Sequence, residues 1–461
     1  VVSSTALAAD AGGGAPLSLP TDPVLARLIE ESVAARPELR QAEAAARAER
    51  ERIPQAGALP DPVLSLAIQN DGFDEIMIGE METSYYQVML SQGLPWPGKR
   101  GLRTDVARIA ADEAGAALVR ARLTTEADVR RAYTDLLLAR ERLGLLGRLE
   151  EIWQISAGLA RARYESGEGA QSDVLRAQLE LNRLKQRRWA LEAQERTAAQ
   201  TLNRLRGRSV DEAIAGTPRL SEQPIAELPS VDTALADAVA RSPELAQARL
   251  AAARGEKSTA LARRERYPDL SVTAGIMPRG DLDPMWLAGI SIGLPLWSGR
   301  KQGRAVAERQ AQAEASARGA EALEQVLRLR VAERATAYAA TVDTVRLFRE
   351  GLLVQSRATA ESTLAQYRVG RVTFASVLEA NAGYIADEES FLGALAEAHR
   401  IAIGAAEVSL DPVGVAGGGA LSTGGMPGAG AAGGGGAMAS GGAAAARAPE
   451  AAPSAAMGGG M

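Results

Sequence analysis

The sequence predicts a mainly α-helical chain in which one helix–strand–strand–long helix–helix module is written twice, its strands contributing to a transmembrane β-barrel. Three features carry that expectation. Residues 91–101 read SQGLPWPGKRG and residues 291–301 read SIGLPLWSGRK, each closing an alternating apolar segment. Each echo also opens a long stretch without proline, 98–217 and 296–411. Four short segments alternate with period two and carry no charge, as pleated strands with two different faces do.

Other landmarks recur in the same order. Pro37 in RPELRQAEAAARA aligns with Pro243 in SPELAQARLAAAR, and Pro60 in LPDPVLSL aligns with Pro268 in YPDLSV. Gly93 aligns with Gly293, and Tyr164 in YESGEGAQSDVL with Tyr367 in YRVGRVTFASVL. The displacement stays between 200 and 208 residues, too long for a solenoid and suited to duplication of a whole module. The first repeat is expected over 22–212 and the second over 213–411.

Each module opens with a helix, about 22–52 and 231–265, with proline near its start where the missing N–H costs nothing. A Pro-Asp step follows, because the residue before proline is pushed out of the helical region. Strands are expected at about 62–70, 85–93, 269–277 and 285–294. Leu64, Leu66 and Ile68 share one face, as do Tyr86, Val88 and Leu90 on the next strand. Leu270, Val272, Ala274 and Ile276 repeat the pattern, followed by Trp286, Ala288, Ile290 and Ile292. The opposite face is read as small, hydroxyl and amide side chains: Ser65, Ala67, Gln69, Gln87, Ser91, Ser271, Thr273, Gly275, Gly289 and Ser291.

After each Gly-Leu-Pro joint comes a long helix, 98–165 and 299–366. At 1.5 Å rise per residue each spans about 100 Å, and such a rod is stable only when laid against others. Val129, Ala132, Leu136, Ala139, Leu143 and Leu146 follow the 3-4 spacing of a coiled-coil seam. A turn then sends the chain back along helices at 172–206 and 376–408.

Composition excludes several function classes. Aromatic residues are 4% and phenylalanine occurs four times, too few for a large globular core but suited to narrow helical seams. The formal net charge of −5 gives no basic surface for nucleic acid. There is no cysteine and one histidine, His399, so disulfides and a His/Cys metal site are excluded. No nucleophile is paired with His399, and no glycine-rich phosphate loop follows a strand. No enzymatic site, cofactor or metal centre is expected.

The start, VVSSTALAAD, fits the end of a secretory signal, with Ala6-Leu7-Ala8 as the small-x-small cleavage pattern; residues 1–21 are expected to be a signal remnant and flexible leader. Residues 412–461 are expected to be a disordered Gly/Ala/Met tail. Met426, Met438, Met457 and Met461 lie there at irregular spacing, and no metal site is read from them.

Neither strand face suits water, where a solvated face carries Lys and Glu. One apolar face and one uncharged face match a barrel with lipid outside and a wet lumen inside. Phe73, Tyr85, Tyr86, Trp96, Tyr267, Trp286 and Trp297 gather at the strand ends, as an interfacial girdle does. Four strands cannot close a barrel, whereas three copies would supply twelve strands above a tube of twelve helices. On this reading Pro95, Trp96, Pro295 and Trp297 mark where barrel strand becomes tube helix, since proline ends a ladder and starts a helix.

The duplicated plan, the joints and the Y-x-x-G turns at Tyr164–Gly167 and Tyr367–Gly370, each followed by Val-Leu, resemble the TolC-like outer-membrane efflux channels of Gram-negative bacteria over about residues 20–411. The wording of the joints is similar to members serving heavy-metal pumps of the resistance–nodulation–division (RND) type. The resemblance implies a homotrimer in outer-membrane lipid that extends into the periplasm. It also implies a periplasmic adaptor docking at the turns marked by Tyr164, Gly167 and Gly370, and an inner-membrane RND-type pump. Asp173, six residues after Gly167, and Tyr367, three before Gly370, stand where the family closes its tip. The family's arginine position holds Val372, so Arg371 beside it is the candidate; Ser376 replaces an acidic residue, and Glu379 is the candidate for a ring one turn higher. The implied function is a passive exit duct for metal ions or small toxic compounds. Two alternatives stay open: a periplasmic or cytosolic coiled-coil scaffold, and a duct for type I protein secretion.

Overall fold

The computed structural model describes residues 19–412. Most of the expected signal remnant and the Gly/Ala/Met tail, with its four methionines, lie outside the described residues. The first repeat comprises α1 (Pro23–Ala35), α2 (Pro37–Gly57), β1 (Val63–Gln69), β2 (Tyr85–Leu94), α3 (Lys99–Glu165) and α4 (Gln171–Leu205). The second comprises α5 (Val231–Arg241), α6 (Pro243–Arg264), β3 (Leu270–Arg279), β4 (Leu282–Ile292), α7 (Gln302–Leu347), α8 (Leu353–Arg368) and α9 (Phe374–Glu407).

Three expected helices are broken or displaced, each for a local reason. The helices placed at 22–52 and 231–265 are both interrupted by an extended residue, Arg36 (ψ 119°) and Ser242 (ψ 115°), that precedes a proline. Pro37 and Pro243 then begin new helices, where their fixed φ is an advantage. α2 runs through Pro54 to Gly57 instead of stopping at 52. The helix placed at 299–366 starts at Gln302 and carries a π-helical turn at Phe348–Leu352 before α8. Its counterpart α3 is unbroken for 67 residues.

The four strands form one antiparallel sheet in the order β1-β2-β3-β4. The central pairing, β2 with β3, joins the two repeats, and β1 and β4 are free edges in the chain. Gly280, at φ 62°, makes the two-residue Gly280–Asp281 turn between β3 and β4, a conformation that hairpin turns demand. The longer β1–β2 loop is organised by Asn70, whose side-chain amide donates to the carbonyls of Gly72 and Glu75 and accepts from the Met77 N–H.

Below the sheet the helices pack in antiparallel pairs. Val129, Leu136 and Leu146 of the expected seam are fully buried, with Ala132 and Ala139, while Leu143 is half-buried. A central core joins Leu25, Leu28, Val129, Tyr133, Leu136, Leu202 and Leu395 from four helices. A second cluster near the far turns contains Trp153, Leu184, Tyr367, Phe374 and Val377. α3 and α6 bring the repeats together, with Lys257 on Asp105 at 3.1 Å, Arg254 on Glu113 at 3.0 Å, and Arg120 on Glu244.

Glu407 closes the last helix onto the rest of the chain. Its carboxylate is buried and bonded to Arg131 of α3, with Arg120 at 3.6 Å. Truncation leaves two guanidinium groups short of a partner, so Glu407→Ala is expected to cost about 3 kcal/mol in denaturant unfolding of the helices. His399 adds a pH term. Burial lowers its pKa, so the folded chain holds it neutral, while the unfolded imidazole titrates near its ordinary value. Its contribution is complete above that value and is lost as pH falls through it. Thermal unfolding is expected to lose stability between pH 7.5 and 5, with a smaller loss in His399→Leu.

Candidate functional site

The sheet has two chemically distinct faces, and the register keeps them in phase. Leu64 pairs with Leu90, Leu66 with Val88 and Ile68 with Tyr86. Val88 in turn pairs with Ile276, and Ile276 with Trp286. Every even-numbered residue named above therefore falls on one face, which no described element covers: Leu66 is 71% exposed and Ile290 72%. The odd-numbered face corrects the sequence reading. It holds Ser65, Ala67, Gln87, Ser91, Thr273, Gly275, Gly289 and Ser291 as expected, but also Val63, Met89, Met277, Met285 and Leu287. Arg279 and Asp283 bring charge to the β3–β4 turn end, and along its length the face is less polar than the alternation suggested. Gly275 accommodates this, because Met89 lies across the position that a Cβ there would fill.

The first joint is built by both repeats. Asp269, from the second Pro-Asp step, accepts from the Trp96 main-chain N–H at 2.7 Å and from Lys99 Nζ at 2.8 Å. Lys99 also donates to the Tyr267 carbonyl at 2.8 Å, and its side chain is almost wholly buried. Trp96 stacks on Tyr267 with ring centroids 5.5 Å apart, and the Arg264 guanidinium lies 5.6 Å from the same ring. Burial opposes the charge on Asp269, but the hydrogen bonds from Lys99 and Trp96 outweigh it and hold the carboxyl below its usual range. Pro95 ends β2, and Gly98 (φ 90°) turns the chain into α3. The second joint lacks these bonds. Pro295 stands three residues beyond the end of β4 at Ile292, Trp297 is 74% exposed, and residues 296–301 form turns before α7.

At the far end, α3 and α8 stop at glycines in the left-handed region, Gly167 (φ 81°) and Gly370 (φ 71°). The two tyrosines of the Y-x-x-G turns behave differently. Tyr367 is 3% exposed and packs on Phe374, whereas Tyr164 is exposed. The Tyr367 hydroxyl has no hydrogen-bond partner; burial and then the nearby Asp173 carboxylate push its pKa up. Asp173 sits in the first turn of α4, where the helix dipole favours its charge, and makes no capping bond.

Within the chain, the guanidinium that meets Tyr367 belongs to Arg163. Arg163 lies 5.1 Å from the Tyr367 ring centroid and donates to the Tyr367 carbonyl at 2.6 Å, tying the two turns together. Arg371 is exposed and forms no ion pair among the described residues. Glu379 is exposed higher on α9, lining a groove of about 650 Å³ between α4 and α9 with Glu180, Arg183, Arg187 and Glu389. Arg187 reaches Glu389 across that groove at 3.4 Å.

Residues 28–208 and 234–403, one segment in each repeat, match the family described as outer membrane efflux protein. The chain belongs to that family. Solved structures agree in fold. The outer-membrane channel OprN is 22% identical, with a TM-score of 0.70, covering 84% of this chain and 90% of that one. A membrane protein from Pseudomonas aeruginosa is 19% identical at a TM-score of 0.75, covering 89% and 99%. CusC, described as forming a transmembrane channel, is 16% identical at a TM-score of 0.72, covering 87% and 99%. No curated protein matches the chain. As a member of the outer membrane efflux protein family, a family of channels, it resides in the outer membrane and extends into the periplasm.

Within this family member the sequence reading missed Arg163 and the Lys99–Asp269 pair. Arg163 immediately precedes Tyr164, and the corresponding residue of the second turn is Gln366; that asymmetry between copies is the available signal. The Lys99–Asp269 pair joins residues 170 positions apart, and only the duplicated Pro-Asp step hinted at a role for Asp269. Lys99→Met keeps the buried stem and removes the charge. With Asp269 half-exposed, the expected loss is about 1–2 kcal/mol, read as a lower melting temperature in detergent.

Proposed function

We propose that this chain is the exit duct of a tripartite efflux system: three copies close one barrel in the outer membrane and one helical tube in the periplasm. The observation that carries the reading is the bare apolar sheet face above helices of up to 67 residues. An exposed apolar surface of that extent is stable against acyl chains and not against water. The edges β1 and β4 are unpaired in one chain, and a sheet in lipid needs every backbone group bonded, which a closed ring of copies supplies.

The duct performs no chemistry. The turns carrying Tyr164, Gly167 and Gly370 are the docking points for a periplasmic adaptor, which links the duct to an inner-membrane pump of the RND type. Asp173 and Tyr367 hold the tip closed with Arg163, while Arg371 and Glu379 face outward to neighbouring copies or the lumen. Opening is a shift between closed and open populations, driven by whatever contacts the adaptor makes only in the open state. The wording of the two joints supports the heavy-metal branch, with metal ions or small toxic compounds as cargo.

Differential extraction tests the reading. The protein is expected in the detergent-soluble outer-membrane fraction, migrating as a trimer that dissociates on heating. Recovery without detergent as a rod-like dimer would instead establish a scaffold. In planar bilayers Asp173→Ala is expected to raise conductance over wild type; an unchanged conductance removes Asp173 from the gate.

A further inference from the structure

The duplication contains a template for the contact between neighbouring copies. Inside one chain, β2 of the first repeat pairs with β3 of the second, and Asp269 just before β3 binds the joint just after β2. At its two free edges the chain carries the same parts unpaired. β1 is preceded by Pro60-Asp61, as β3 is by Pro268-Asp269. β4 is followed by GLPLWSGRK, as β2 ends in Gly93-Leu94 and is followed by PWPGKR, and with the tryptophans aligned Arg300 stands where Lys99 does.

These outer parts are idle in the single chain. Asp61, Arg300 and Lys301 are exposed and make no ion pair among the described residues, whereas Lys99 is buried on Asp269. The second joint is also less formed, since α3 begins at Lys99 while α7 begins at Gln302, two residues past the aligned Arg300. A carboxylate organises the first joint by binding one main-chain N–H and one cation. The second joint has the N–H and the cation but no carboxylate.

We propose that β4 of one copy pairs with β1 of a second copy in the register of the internal β2–β3 pairing, and that Asp61 of the second copy completes the open joint. There it accepts from the main-chain N–H of Trp297 and from the guanidinium of Arg300, as Asp269 does from Trp96 and Lys99. The inference rests on the multi-copy barrel proposed above and specifies its seam. Carrying the pairs Val88–Ile276, Leu90–Ala274 and Gln92–Val272 onto the edges gives Ala288–Ile68, Ile290–Leu66 and Ile292–Leu64. All six residues belong to the bare apolar face. On the other face Ser91 opposite Thr273, hydrogen-bonded at 3.1 Å, becomes Ser291 opposite Ser65.

Competing registers are worse. A slip of one residue turns the apolar face of one copy against the uncharged face of the next. A slip of two keeps the faces but carries Asp61 about 7 Å along the strand, out of reach of the joint.

The chain has no cysteine, so disulfide trapping in the full-length protein is clean. Ser65→Cys combined with Ser291→Cys places thiols directly opposite, within bridging range, whereas Ser65→Cys with Gly289→Cys is diagonal and beyond it. Oxidised outer membranes are expected to show covalent dimers and trimers from the first combination, at least about tenfold over the second. Ala67→Cys with Gly289→Cys reads the same register if the serine pair fails to insert. Asp61→Arg is expected to lower the temperature of trimer dissociation by about 2–4 °C, and adding Arg300→Asp to restore it.

Preferential trapping of the diagonal pair, a bridge formed within one chain, or an Asp61→Arg trimer as heat-stable as wild type would overturn the seam. Wild-type conductance measured alongside separates the two readings. Pores with a different register refute the seam alone, while absence of both pores and oligomers refutes the duct.

Discussion

A sheet immersed in hydrocarbon has no water to satisfy its edge N–H and C=O groups, and the rest of this molecule is organised around that constraint. The described residues make four strands, with one face largely apolar and charges in the strands confined to Arg279 and Asp283 at the β3–β4 turn. Such a sheet is a fragment of something closed. Most of the other described residues are helical, because long helices satisfy their own backbone and can leave the membrane as rigid rods.

Joining the two regimes demands a fixed direction, and the first joint shows how it is set. A strand ending at Leu94 must hand over to a helix beginning at Lys99 within a few residues. Proline ends the ladder, glycine bends the chain, and a buried ammonium locked on Asp269 holds the helix start against the other repeat. The energy of that pair is modest because its carboxylate is half-exposed; its value is geometric. It makes the direction of α3 depend on the second repeat, so that the first half does not orient its rod alone.

Much of this was legible in the sequence because period-two alternation and proline placement report directly on backbone conformation. All four strands lie close to where alternation put them, and the cross-strand register keeps their apolar residues in phase. The breaks at Arg36 and Ser242 could have been read from the prolines that follow; the alanine-rich pattern on both sides hid them. The second strand face was misjudged because Met89, Met285 and Leu287 were not counted with their small neighbours. At the tip, proximity in sequence favoured Arg371, whereas a long side chain from the facing turn, Arg163, reaches Tyr367 in space. Contacts between distant segments have no periodic signature, and family position alone could not supply this one.

The π-helical turn at Phe348–Leu352 has a consequence for how the two rods wind. Repeat landmarks lie 200 residues apart at the joints, Gly93 and Gly293, but 203 apart at the far turns, Tyr164 and Tyr367. The extra residues lie in the open joint before α7, because α7, the π-helical turn and α8 together run from Gln302 to Arg368 and equal α3 in length. A wider turn rotates everything beyond it by about 100° for each extra residue it takes in. α8 thus meets α9 in a phase of its own, while α3 carries a single phase from joint to tip. Two rods of common ancestry and equal length have become a continuous screw and a spliced one.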